Sequence, residues 1–333
     1  MGEGLRIGVV GAGHFGRYHA LKVAASERAT LSGIHDVDEE RAKTLGWEAG
    51  APALDLGALL LASDAVIVAA PAEHHFAVGA AALRAGKHVL MEKPIAATLD
   101  EADALAALAA AQNRVLQVGH LERFSAAHGM VSGRMGRPLY IEATRIAPFK
   151  QRGTDVSVIL DLMIHDLDLI LSLVESPIVS VDAVGAAVAS AHEDIANARV
   201  RFENGCVATV TASRISFRTE RRMRIFAADG YTAVDFAARR LTLIGRGQGK
   251  PIPGIGPFGS EEVSWEDRDA LAAEHAAFIA SILDDAPVLV DAAAGRRALQ
   301  AALAVMASMA QSRAVAVASG LLDQPQHGGG GGL

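Results

Sequence analysis

Residues 6–16 read RIGVVGAGHFG, an apolar run that ends in three spaced glycines, Gly11, Gly13 and Gly16. Ile7–Val10 reads as a short strand, and a helical stretch is expected from Arg17. That context gives each glycine a physical duty. Gly11 permits the tight turn, Gly13 lets backbone approach a pyrophosphate, and Gly16 lets helix and strand pack closely. The free N–H groups at the helix start favour phosphate. His14 and Phe15 fill the variable positions of the loop and are placed beside the cofactor with the glycines. The next strand, Thr30–His35, ends at Asp36, 20 residues past Gly16. A carboxylate there hydrogen-bonds a ribose 2′-OH and repels a 2′-phosphate. The loop therefore predicts a dinucleotide-binding fold that takes NAD in preference to NADP, with Arg41 the one feature tempering that choice. The competing reading of Asp36 and Asp38 is ordinary turn chemistry.

Outward from this loop, strand and helix patterns alternate. Thr30–His35, Ala65–Ala69, His88–Met91 and Val115–Gly119 are the further strand candidates, separated by alanine-rich helical segments such as Phe76–Ala85 and Leu99–Ala111. Alternation of this kind implies an α/β fold with a doubly wound parallel sheet. From about residue 121 the strands alternate apolar and polar residues, as in the runs from Val179, Ala198 and Val207. That pattern suits an antiparallel sheet covered on one face. Helices are predicted over Val158–Val174, Arg268–Leu283 and Ala293–Ala310, and the Gly/Pro-rich stretch Gly245–Gly259 reads as a long flexible loop. The expected division is a dinucleotide-binding domain over 1–121, a substrate and oligomerisation domain over 122–322, and a disordered tail over 323–333 that includes HGGGGGL.

At 333 residues the chain exceeds one hydrophobic core, so two domains are expected. A net charge of −7 argues against nucleic acid or an anionic membrane as the main partner. The single cysteine, Cys206, excludes an intrachain disulfide, fits a reducing compartment and reads as a small core residue. The first strand begins at once without a removable leader, and no uncharged apolar run reaches the ~20 residues of a membrane span. The expectation is a soluble, cytoplasmic protein.

Two further stretches carry chemistry. In AGKHVLMEKPIAAT (85–98), the apolar strand runs straight into Glu92-Lys93-Pro94. The proline biases Lys93 toward extended geometry at the carboxyl end of a strand, where open α/β sheets bind ligands. In LDLMIHDLDLI (160–170), Asp161 and His165 stand four apart and share a helix face, with Asp168 close by. A neutral imidazole accepts a hydroxyl proton, and a lysine stabilises the alkoxide-like oxygen left behind. This chemistry suits His165 as general base and Lys93 as its electrostatic partner, roles that could be exchanged; the competing reading, preferred for such a pair standing alone, is an ordinary capped or paired helix face. Histidine and carboxylates at helical spacing also bind zinc, but no ligand cluster completes such a site, and no metal is expected.

These motifs together resemble the Gfo/Idh/MocA family of NAD(P)-dependent oxidoreductases. APAEHHFAVGAAALRAGKHVLMEKPIAAT (70–98) fits the family's Pro-x-x-x-His and Glu-Lys-Pro pattern, and the 160–170 segment is similar to its second catalytic motif. The resemblance implies a Rossmann domain followed by an α+β domain with a large open, mostly antiparallel sheet, and a homodimer or homotetramer. It also implies that Lys93, Asp161 and His165 are catalytic, that His75 lies by the cofactor, and that Pro71 and Glu92 line the nicotinamide site. GHLERF (119–124), PFKQRGTDV (148–156) and DIANARVRF (194–202) are similar to the branch that oxidises C3 of a UDP-N-acetylhexosamine, although Ser125-Ala126 stand where that branch has Asn-Pro. UDP-N-acetylglucosamine is the leading substrate on this reading. His120 at the domain boundary, and the cations Arg145, Lys150 and Arg152 before the catalytic helix, are the candidate substrate contacts. Arg218, Arg221, Arg222 and Arg224 read as the solvated or interfacial face of a strand. Two alternatives stand beside this reading: an inositol or free-hexose dehydrogenase of the same family, and a regulator that binds NAD and sugar without turnover.

Overall fold

The computed structural model describes residues 4–132, 136–150, 153–154, 156–247, 249–266 and 269–320. The N-terminal half alternates β1 (Leu5–Val10), α1 (His14–Ala24), β2 (Ala29–His35), α2 (Glu39–Ala49), α3 (Leu56–Ala62), β3 (Ala65–Val68), α4 (His75–Arg84), β4 (His88–Glu92), α5 (Leu99–Ala111) and β5 (Leu116–Gly119). The five strands are parallel in the order β2-β1-β3-β4-β5. The strand order reverses direction between β1 and β3, and the crevice outside their carboxyl ends is where doubly wound sheets bind ligands. Every residue of β3 is buried, as expected for a strand with helices on both faces. Local chemistry sets the helix ends. Asp38 caps α2 by accepting from the Glu40 and Arg41 amides, and Thr98 with Glu101 forms a capping box on α5.

The chain then forms α6 (Ala126–Ser132), β6 (Pro138–Ile146), a π turn over Ile159–Met163, α7 (Ile164–Val174), and the strands β7 (Ile178–Ala186), β8 (Ile195–Phe202), β9 (Val207–Ser213), β10 (Glu220–Ala227), β11 (Gly230–Asp235), β12 (Arg240–Arg246), β13 (Lys250–Pro251) and β14 (Phe258–Ser264), before α8 (Ala270–Leu283) and α9 (Ala292–Ala318). These nine strands make one sheet in the order β13-β14-β12-β11-β10-β6-β9-β8-β7, antiparallel except for the parallel pair β6 and β9. One face is apolar. Ile141 and Ala143, Ala198 and Val200, Val210 and Ala212, and Met223 and Ile225 pack with Met163, Leu167, Ala302 and Val305 from the helices. Cys206 is buried in the same core. The other face carries polar cross-strand pairs, such as Glu142 with Arg224 and Asn197 with Thr211.

Two expectations change here. The Gly245–Gly259 stretch is not a single flexible loop, because β12 continues to Arg246 and pairs with β14, Gly245 opposite Gly259. The positive φ angles of Gly247, Gly249, Gly254 and Gly256 turn the chain between short strands. The helix expected over Val158–Val174 begins as a π turn, whose consequence appears at the site below.

The last two helices cross back to the N-terminal sheet. Phe278 and Ile279 of α8 share a core with Ile7, Val9 and Val23, while Val290, Ala294 and Leu299 share one with Val89, Met91 and Val118. At ~1.5–3 kcal/mol for each large apolar side chain removed from water, this return is a substantial part of what holds the Rossmann helices in place. By length and composition α9 is apolar enough to cross a membrane; here Ala298, Ala301, Ala302 and Val305 are packed into the protein, and its last turns are exposed.

Candidate active site

The glycine loop is shaped by close contacts. Gly11 has φ +102°, and a Cβ there would lie 2.6 Å from the Ala69 carbonyl. A Cβ on Gly16 would fall on the Gly11 carbonyl oxygen, whereas one on Gly13 would meet nothing within 4 Å. Gly11 and Gly16 are thus required by the chain itself, and the space beside Gly13 is open for a pyrophosphate. Asp36 closes the loop from β2, its carboxylate accepting from the Ala12 amide at 2.6 Å and the Asp38 amide at 2.9 Å. His14, Arg17 and Arg41 line a cleft of about 500 Å³ beside this loop. The His14 ring meets Phe15 and Tyr18 edge-on, at 5.8 and 4.8 Å between centroids. Phe15 is exposed.

At the carboxyl ends of β3 and β4, His75 is buried, with Nδ1 2.7 Å from the Pro94 carbonyl and Nε2 2.8 Å from the Ala70 carbonyl. The ring sits between the two strand ends, its one N–H donating to one of the two carbonyls, and Pro71 stays exposed beside it. Burial holds the His75 pKa below its usual value. Glu92 uses one carboxylate oxygen for His19 at 2.9 Å and the other for the Lys93 amide at 3.1 Å. Burial alone would raise its pKa, but the His19 hydrogen bond and the Lys93 charge outweigh it and hold Glu92 below the ordinary range.

Lys93 reaches across to the second half of the chain. Its Nζ donates to the backbone carbonyls of Asp161 at 2.8 Å and Leu160 at 3.2 Å. Both residues belong to the π turn, a wider turn of the kind often found at functional sites. One turn on, His165 lies at the start of α7. Its Nδ1 is buried with no hydrogen-bond partner among the described residues. Burial, then the charges of Lys93 and Arg145, push its pKa well below the usual value, so the ring is neutral and able to accept a proton. His120, just past β5, is fully buried, and neither ring nitrogen has a partner among the described residues. Asp168 is buried beside Arg123 at 3.5 Å, with Oδ2 unpartnered among the described residues and its pKa raised by burial. Buried polar atoms left unpaired cost about 1–3 kcal/mol each. These unpaired atoms gather around Lys93 and His165.

A buried ion-pair layer supports this cluster. Arg145 grips Asp166 with two bonds of 2.7 and 3.0 Å and also meets Glu122 at 3.3 Å. Glu122 pairs in turn with Arg221, whose guanidinium lies over the Phe236 ring at 5.2 Å. Burial would raise the Glu122 pKa, but Arg145 and Arg221 hold it low. The charge of Arg145 is therefore matched inside the protein. Lys150 is exposed beyond β6, and Arg152 lies outside the described residues.

The solvated-face reading of the arginines in and just before β10 holds for three of them and fails for one. Arg218, Arg222 and Arg224 are exposed and pair with Glu220, Asp235 and Glu142. Arg221 turns inward because it shares the parity of Met223 and Ile225, the buried residues of the strand. That parity was visible in the sequence. The roles of Glu122 and Arg123 were not, since both depend on which charges the fold brings to face them.

The geometry can now be set beside known proteins. Residues 5–120 match the Gfo/Idh/MocA oxidoreductase family's NAD-binding Rossmann domain, and residues 125–232 match the family's C-terminal domain. The chain belongs to the Gfo/Idh/MocA oxidoreductase family. It is 44% identical over 303 residues, 90% of this chain and 96% of the relative, to a UDP-N-acetylglucosamine 3-dehydrogenase from Acidithiobacillus ferrooxidans. The solved structure of that enzyme superposes with a TM-score of 0.86 at 43% identity, over 91% of this chain and 97% of the other. An inositol 2-dehydrogenase from Rhizobium meliloti is 26% identical, over 94% of this chain and 99% of the relative. This Gfo/Idh/MocA member is accordingly an NAD-binding oxidoreductase.

Proposed function

We propose that this protein oxidises the C3 hydroxyl of UDP-N-acetylglucosamine to the 3-keto sugar, transferring hydride to NAD. The observation that carries the substrate is the 44% identity over 90% of the chain with the bacterial 3-dehydrogenase, against 26% for the full-length inositol relative. The chemistry rests on the juxtaposition of Lys93, His165 and His120 across the two halves of the chain.

The residues present fit NAD. Gly13 leaves room for the pyrophosphate, the α1 N-terminus offers free amides, and Asp36 stands where the ribose 2′-OH is read. Bound there, NAD supplies the hydride acceptor. Neutral His165 takes the hydroxyl proton, and the Lys93 ammonium donates a hydrogen bond to the oxygen on which negative charge develops. Asp161 orients this pair through its backbone carbonyl, which holds Lys93 Nζ. His120, whose ring nitrogens have no partner among the described residues, meets a sugar hydroxyl. Arg145 acts through Asp166 and Glu122, which keep the catalytic helix in register. The protein works in the cytoplasm as a homodimer or homotetramer, a reading that exposed apolar residues such as Val179, Val184 and Phe217 support.

The test is NADH formation by the purified protein with NAD and UDP-N-acetylglucosamine, with product NMR to locate the keto carbon. Turnover that disappears in Lys93→Ala and His165→Ala confirms substrate and site together. Turnover on inositol or a free hexose alone moves the substrate and keeps the mechanism. NAD binding without any sugar turnover refutes the catalytic reading.

A further inference from the structure

We propose that His19 and His275 are positioning residues for Lys93: they form a buried hydrogen-bonded column that holds the Glu92 carboxylate off the lysine ammonium. The inference rests on the catalytic role given to Lys93 above. It joins three distant parts of the chain: His19 from α1, Glu92 from the end of β4, and His275 from α8.

The column is well defined. Glu92 Oε1 is 2.9 Å from His19 Nε2, and His19 Nδ1 is 2.8 Å from His275 Nε2. The two imidazole planes are parallel to within 7°, with centroids 5.1 Å apart, as an in-plane N–H···N bond requires. His19 is fully buried and His275 is 6% exposed. A carboxylate only accepts, so His19 Nε2 carries a hydrogen. The 2.8 Å contact between His19 Nδ1 and His275 Nε2 is an N–H···N hydrogen bond, in which one ring nitrogen donates and the other accepts. Burial and the neighbouring His19 hold His275 at about 3, so it stays neutral. Gln117 fixes this part of α8 on the β5 side by donating to the Glu274 carbonyl at 3.2 Å.

The consequence follows from where the charges lie. Glu92 is the carboxylate next to Lys93 in sequence and acts on it electrostatically. Both its oxygens are committed, one to His19 and one to the Lys93 amide, so it pins the lysine's backbone while its charge is drawn toward α1. Without the imidazole bond, the freed oxygen is drawn toward the ammonium, whose charge already acts on Glu92. That swing withdraws Nζ from the Leu160 and Asp161 carbonyls and from the reacting oxygen.

The same region presents an alternative that must be tested first. His19, His275 and Glu274 bring one donor atom each within 4.8 Å of one another, which also suits a divalent cation. A metal there would replace the His19–His275 hydrogen bond, so a stoichiometric ion found by elemental analysis of the purified protein overturns the proposal.

The main experiment compares His19→Phe with His19→Gln, whose amide keeps a donor toward Glu92. Lys93 is followed by NMR of the ¹³C-dimethylated protein, with its signal assigned by Lys93→Met. Among the described residues, Glu92 from β4, His120 after β5 and His165 on α7 act on it electrostatically, and these are retained. In His19→Phe the Lys93 proton affinity rises about tenfold and kcat falls at least tenfold with little change in either KM. His19→Gln retains most of both properties. An unchanged Lys93 titration in folded His19→Phe overturns the proposal. Because this titration needs no substrate, it is read independently of whether the nucleotide-sugar assignment holds.

Discussion

Lys93 Nζ donates to the main-chain carbonyl of Asp161 at 2.8 Å, so the end of β4 is bonded directly to the π turn that leads into α7. The contact joins the cofactor half of the molecule to the acid–base half through one flexible side chain. Asp161 acts on Lys93 here through its backbone carbonyl. Lys93→Met keeps the length and apolar stem of the side chain and removes the donor. Its kcat is expected to fall by about 10²- to 10³-fold, the usual loss for a donor aimed at developing charge. Steady-state kinetics with a parallel melting curve checks this, since a fold defect would lower Tm as well.

His165 gives a pH prediction with a definite sign. Its folded pKa lies well below 6.5, so between those limits the unfolded chain binds more protons than the folded one. Stability is therefore fully present above about pH 6.5 and is lost as the pH falls. His88 and His128, both held near 4, contribute in the same direction. The kcat/KM profile of the wild type is expected to stay flat down to pH 6, because the base is already neutral. His165→Asn loses at least 10²-fold in kcat and shows a shallower acid-side loss of Tm. Melting curves from pH 5 to 8 measure the second effect.

Arg145 is expected to behave as a structural cation. Arg145→Met leaves Asp166 and Glu122 buried without their shared partner. Breaking one side of a buried pair costs about 3–5 kcal/mol. Urea denaturation checks that loss. If stability were unchanged and only the KM for the nucleotide sugar rose, Arg145 would instead contact the substrate.

Glu274 is the buried acid whose charge the fold does not accommodate. It is fully buried, and its carboxylate oxygens find no partner among the described residues. Burial and then the nearby Glu92 raise its pKa well above 4.5. Here the folded state binds the extra proton, so the stability this group contributes at low pH is lost as the pH rises through its folded pKa. Glu274→Gln mimics the protonated form at every pH. The variant is expected to match the wild type near pH 4.5 and to be more stable by about 1–3 kcal/mol at pH 8, as seen in chemical denaturation. Equal stability at both pH values would show that Glu274 is ionised and paired.

The cofactor half was legible because its signals are local. Gly11 and Gly16 are demanded by backbone geometry within a few residues, β3 is an unbroken apolar run, and Lys93 follows its strand directly. Motif resemblance proposes Asp161 and His165 for one site, and the fold sets them one turn apart where the π turn meets α7. Spacing alone made residues 158–174 one α-helix, whereas the fold opens the first turn into a π turn on which Lys93 rests.

What only the tertiary structure decided is which charges meet. Arg145 reads equally well as a substrate-binding cation until Asp166 and Glu122 are seen around it. His19 and His275 are 256 residues apart, and nothing in either neighbourhood indicates the other. Hydrophobic periodicity and turn chemistry act between neighbours in the chain, so a single sequence carries them openly. Hydrogen bonds and ion pairs across the core depend on a register of a few tenths of an ångström between elements that fold from opposite ends of the chain, and that register is a property of the packed protein alone.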